Sequence, residues 1–271
     1  MAFADELFLH VQHIWDAQLA HPFVRGLGDG SLPTEGFARW VRQDYLYLKD
    51  FARLFAWAVA KADRLESMGW YAAVLHLTLN TEMALHREYA QRFGITPEEL
   101  EAEPAWPTTR AYTDFLLRTA ADGDMADLVA ALLPCAWGYV YIAQHLAKSK
   151  PPADQRYADW IAQYVSADFV QAAEWLKAEM NRLAEGATPS KRRRLMEIFE
   201  ISSQYEWLFW EMCWKGEAWP IPSAAEGQGG RRETAGRNQR AAGSRSDEGE
   251  SGRRLRGAGA TGWLGDEGQA G

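Results

Sequence analysis

The chain has 271 residues, enough for one large domain or two small ones. Hydrophobic residues make up 47% of it and aromatics 13%, with 13 tryptophans, so a sizeable core is available. A net charge of −8 argues against a general nucleic-acid binder, and two cysteines, Cys135 and Cys213, make no disulfide scaffold and point to a reducing, cytoplasmic setting.

The first stretch, MAFADELFLH, is acidic and lacks a basic region followed by an apolar run and a cleavage site, so no signal peptide is expected. No uninterrupted apolar segment reaches spanning length, so no membrane partner is expected. From Ala2 to Trp214 apolar residues recur at steps of three and four, the helical period. Helices are predicted over about 3–20, 34–62, 67–93, 108–122, 125–148, 154–165, 167–185 and 189–214. GLGDGSLP reads as the loop between the first two, with Thr34 as the cap of the second. Thr188 before Pro189 marks the start of the last. One all-α bundle is the simplest architecture. Beyond it, residues 226–271 hold 13 of the 23 glycines and eight arginines but only three large apolar residues, Leu255, Trp263 and Leu264. Such a segment buries too little apolar surface to offset its ordering entropy. We therefore expect a helical domain over 1–216 and a disordered tail over 217–271, with a composition like that of a read-through or frameshifted end.

Three predicted helices carry polar residues where the core should be. In the second, the seam is Phe37, Val41, Asp44, Leu48, Phe51 and Phe55, with Tyr47 beside Asp44. In the last, it is Leu195, Phe199, Ser202, Glu206, Phe209 and Cys213. In LLPCAWGYVYIA it is Leu128, Leu132, Cys135, Tyr139, Ile142 and Leu146. An unpaired ionised carboxylate in a dry core costs several kcal/mol or takes up a proton. Two of them on core seams, with a cysteine and tyrosines, suggest a polar small-molecule pocket inside a bundle. Pro134 should kink the helix at the cysteine, and Gly138 should let another group approach its backbone. The residues alone leave Cys135 open between a small hydrophobe and a nucleophile. They also leave Asp44 open to a solvated face near Arg39 or Arg42, and Glu206 open to a bridge with a cation.

Glu82 and His86, four apart in TEMALHREY, have the spacing of a carboxylate–histidine metal motif. A di-iron site would have to recruit Asp44, Glu206 and His145, and cysteine and tyrosine suit iron poorly, so no metal is expected. His10, His13, His21 and His76 read as surface or satisfied core residues. The sequence has no P-loop, GxGxxG or GxSxG.

The segments HPFVRGLGDGSLPTEGFARWVRQDYLYLKDFAR, LLPCAWGY, YVSADF and YEWLFWEMCW together resemble the thiaminase II (TenA) family over roughly residues 3–216. The resemblance implies a haem-oxygenase-like helical fold without haem, a homotetramer, and no cofactor. It implies hydrolysis of 4-amino-5-aminomethyl-2-methylpyrimidine to the hydroxymethylpyrimidine and ammonia, a thiamine salvage step, with cleavage of thiamine as a further reaction. By the same resemblance Cys135 is the nucleophile and Glu206 the acid/base. Asp44, Tyr139 and Tyr164 bind the substrate, and Tyr47 and Tyr112 help activate the cysteine. A di-iron oxidase on Glu82 and His86, or a non-catalytic pyrimidine-binding or regulatory module, are the rival readings.

Overall fold

A computed structural model describes residues 1–221, which contain helices and no strand. The chain forms α1 (Phe3–Ala20), α2 (Pro22–Asp29), α3 (Thr34–Lys61), α4 (Leu65–Leu77) and α5 (Met83–Gln91), with a single π turn (Thr78–Glu82) between the last two. It continues through α6 (Pro97–Ala102), α7 (Pro107–Asp122), α8 (Met125–Leu146), α9 (Gln155–Tyr164), α10 (Ala167–Leu183) and α11 (Pro189–Lys215). The tail expected over 217–271 lies, from residue 222 onward, outside the described residues.

The helix α8 is the axis of the bundle because its sequence is apolar nearly all round. It touches α7, α9, α10 and α11, while α3 packs on α4, α5, α7 and α11. Among the described helices α8 alone is long and apolar enough to span a bilayer by composition, and most of it is buried by its neighbours. Its apolar run is interrupted at Asp127, so no uninterrupted apolar segment of spanning length is present among the described residues. The burial is what a core helix of a bundle requires.

Several local expectations shift for physical reasons. The stretch read as loop, 26–33, overlaps α2 at residues 26–29: His21 caps that helix by accepting from Phe23 N, Pro22 stands in its first turn, and Gly30 closes it at φ 83°. His21 is thus a satisfied core residue, and its other ring nitrogen faces Glu211 at 3.1 Å. Gly26 is required there, since a Cβ would sit 2.9 Å from the Leu32 amide nitrogen. Helix α6 is stabilised by a reciprocal box between Thr96 and Glu99 that the apolar period does not report. Thr34 is not a cap. Pro33 holds that position, and the Thr34 hydroxyl instead accepts from Arg156 at 3.3 Å. Thr188 caps α11 as expected, by accepting from Lys191 N. The helix expected over 67–93 is broken by the π turn, which inserts an extra residue and rotates α5 relative to α4. After α11, Glu217 reaches back to accept from Thr108 N and Thr108 Oγ1, so the end of one helix is tied to the start of another.

Candidate active site

The three polar seams meet. Asp44 and Tyr47 come from α3, Tyr112 from α7, Cys135 and Tyr139 from α8, Tyr164 from α9, and Ser202 and Glu206 from α11. All but Cys135, which is partly covered, are buried, so the register read from the sequence is the register observed. The solvated-face alternative for Asp44 falls, because Arg39 pairs with Glu35 and Arg42 with Glu103 instead.

Glu206 is 3% exposed and has no cation beside it. Its Oε1 stands 2.5 Å from Tyr112 Oη, which also lies 3.0 Å from Ser202 Oγ. Burial disfavours the carboxylate and lifts its pKa to about 8. The nearby Asp44 adds to the rise, and bonds from Tyr112 and Cys135 offset part of it. Burial also drives the Cys135 thiol well above its ordinary value, and the charge of Glu206 reinforces this. Tyr47 works the other way, favouring the thiolate. Its buried hydroxyl has no well-aligned hydrogen-bond partner. Tyr112 is bonded to Glu206 and Ser202 rather than to the cysteine.

Asp44 has a partner that the sequence did not reveal. His86 Nε2 lies 2.6 Å from Asp44 Oδ2, with both groups buried. His86 Nδ1 faces the Glu82 carbonyl at 3.3 Å, an acceptor only, so that nitrogen carries a proton. Burial pulls the His86 pKa down, but the bond and charge of Asp44 with the charge of Glu82 outweigh it and leave the net shift upward. Glu82 itself is lifted to about 7 by burial. The π turn ends at Glu82, one helical turn before His86, and directs both toward α3. The metal spacing noticed in the sequence therefore serves a carboxylate–imidazole pair. His145 lines an open groove of about 600 Å³ with Arg25, Asp29 and Lys150 and does not join them. Among the described residues no three ligating side chains converge on one point.

Aromatic rings wall the site. Tyr139 packs at 4.9 Å centroid distance on Tyr164 and at 5.2 Å on Trp210, and its hydroxyl accepts from Trp40 Nε1 at 3.4 Å. Gly138, one turn from Cys135, is buried, yet a Cβ there would meet no other atom within 4 Å. No protein atom makes the close approach that Gly138 allows. Open space therefore lies beside Gly138, on the same helix as Cys135 and three residues after it.

Residues 9–216 match the model of the TENA/THI-4/PQQC family. The chain belongs to that family. It is 45% identical over 222 residues to an aminopyrimidine aminohydrolase of Halalkalibacterium halodurans, covering 81% of this chain and 98% of that one. It superposes with TM-score 0.74 on a TenA homologue from P. horikoshii OT3, at 28% identity over 80% of this chain and all of that one. A domain with a haem-oxygenase-like fold from Shewanella denitrificans, at 16% identity and TM-score 0.62 over 78% of this chain and 92% of that one, shares the fold alone.

The raised Glu206 pKa sets the sign of a pH effect. A carboxyl near 4.3 when unfolded and about 8 when folded adds stability that is fully present below the lower value and is lost as pH rises through the higher. Replacing Glu206 by Gln should flatten the fall in unfolding free energy between about pH 5 and pH 8, by up to about 1.4 kcal/mol per pH unit. Urea unfolding across that range checks it; an unchanged slope would mean that Glu206 is not protonated by folding.

Proposed function

We propose that the chain is an aminopyrimidine aminohydrolase. It hydrolyses 4-amino-5-aminomethyl-2-methylpyrimidine to the hydroxymethyl compound and ammonia, with thiamine as a second substrate. The observation that carries the reading is the meeting of a thiol, a carboxyl poised near neutrality and a carboxylate–imidazole pair around buried space. The relatives named for that activity support it.

A flat aminopyrimidine slides between the tyrosine rings, and Asp44 bonds its ring nitrogen and amino group. The His86 imidazole keeps Asp44 oriented and supplies the proton that this edge gains as charge moves onto the ring. Glu206, in its ionised form, accepts the Cys135 proton, and the thiolate adds to the electron-poor ring carbon beside the aminomethyl position. Electrons then return from the ring to expel the amine, which leaves with the proton held by Glu206. Water adds to the exocyclic methylene as Glu206 takes a proton from it. The ring edge gives its proton back to His86, the thiolate departs and regains a proton from Glu206, and the aromatic ring is restored. The balance is substrate plus water to alcohol plus ammonia, with every enzyme group returned to its first state. Tyr47 tightens onto the sulfur as it becomes charged, and Tyr112 holds the Glu206 carboxyl in line.

The reading includes a cytoplasmic homotetramer acting on a small molecule, with Met1–Gly216 as the working domain and 217–271 as an appended tail. Among the described residues no ligand set for the rival oxidase is gathered, and Asp44 and His86 bind each other. Pure binding would need neither the thiol nor a carboxyl held near neutrality.

Ammonia release from the aminomethylpyrimidine should vanish in Cys135→Ala and in Glu206→Gln, with helical circular dichroism retained. Near-normal turnover in either removes that residue from its role. Gly138→Ala meets no protein atom, so it should fold normally yet raise KM by roughly tenfold or more by filling substrate space. An unchanged KM would place the ring elsewhere.

A further inference from the structure

Ser202 lies one helical turn before Glu206 on α11 and is fully buried. A serine hydroxyl has one proton to give. Its Oγ stands 2.6 Å from the carbonyl oxygen of Ala131, which can only accept, so the proton is committed there. Toward Tyr112 Oη, 3.0 Å away, Ser202 is therefore left as an acceptor. Tyr112 also has one proton and stands between Ser202 Oγ and Glu206 Oε1.

The cluster therefore has two proton arrangements. If Glu206 is ionised, Tyr112 gives its proton to the carboxylate, and the two hydroxyl oxygens of Tyr112 and Ser202 face each other with lone pairs. If Glu206 is protonated, Glu206 donates to Tyr112, Tyr112 to Ser202 and Ser202 to Ala131. Every proton is then used, and all run in one direction. We propose that Ser202 is a positioning residue that, through Tyr112, holds Glu206 in its protonated, general-acid form. This rests on the reading of Glu206 as the acid/base of the reaction.

The other groups that face Glu206 are Asp44 and Tyr47 from α3 and Cys135 and Tyr139 from α8. None of these carries a positive charge, and His86, behind Asp44, is paired with it. They disfavour a carboxylate by charge and low polarity. Ser202 adds what they lack, a fixed direction for the proton chain.

The test is a carbon-13 NMR titration of the full chain labelled at the glutamate carboxyls, with the Glu206 signal assigned by its loss in Glu206→Gln. In Ser202→Ala the Glu206 pKa should fall by roughly half a unit to one unit, and in Ser202→Thr, which keeps the hydroxyl, it should return. The acid limb of the kcat profile for ammonia release, where Glu206 must be ionised to take the Cys135 proton, should move to lower pH by the same shift in Ser202→Ala. An unmoved carboxyl pKa in folded Ser202→Ala overturns the proposal. Should that variant not fold, Ser202→Cys, a poor acceptor, takes its place with the same two outcomes. If the carboxyl shifts as stated but Glu206→Gln keeps full turnover, the acid/base reading fails while the proton ordering stands.

Discussion

Desolvation of Glu206 is the constraint on which the rest of the site depends. A carboxyl 3% exposed with no cation beside it cannot be a settled carboxylate, so it sits near neutrality and exchanges protons at little cost. The same dryness keeps Cys135 a thiol until a group accepts its proton. In the proposed reaction acid and nucleophile are thereby coupled: what the thiol loses, the carboxyl is placed to hold and then to hand on.

Holding such groups in a core requires neighbours that satisfy them without neutralising them. Hydroxyls do this for Glu206, through Tyr112 and Ser202, and an imidazole does it for Asp44. Permanent cations are kept on the periphery. Arg64 and Arg182 serve Glu179, and Lys191 and Arg194 serve Asp127, where pairing stabilises helix contacts rather than chemistry. The helices are assigned accordingly. The apolar α8 carries the thiol through the centre, and α3, α7 and α11 each bring one polar turn to it.

Much of this was legible because seam positions are strict. With apolar residues at steps of three and four on both sides, the seams favoured an inward Asp44, Glu206 and Cys135 over the solvated face also open to Asp44; Asp44 and Glu206 are buried and Cys135 is partly covered. The family likeness in QDYLYL and PCAWGY supplied roles that spacing could not. Contacts made across the bundle were not legible. His86 meets Asp44 across 42 positions, and Ser202 meets Ala131 across 71. Nothing in the local pattern of TEMALHREY distinguishes a histidine aimed at a carboxylate from one aimed at a metal. The π turn that aims it has no apolar signature, and short capped helices such as α2 and α6 are fixed by end chemistry and close backbone approach rather than by period.

The central claim is that the buried cluster around Glu206 is where an aminopyrimidine binds and reacts. A crystal structure with 4-amino-5-hydroxymethyl-2-methylpyrimidine bound tests it most directly. The account predicts the amino edge of the ring on Asp44, a ring carbon over the Cys135 sulfur, and the hydroxymethyl group against Glu206. A pyrimidine seated instead in the open groove of Arg25, His145 and Lys150, with the cluster around Glu206 unchanged, would contradict it.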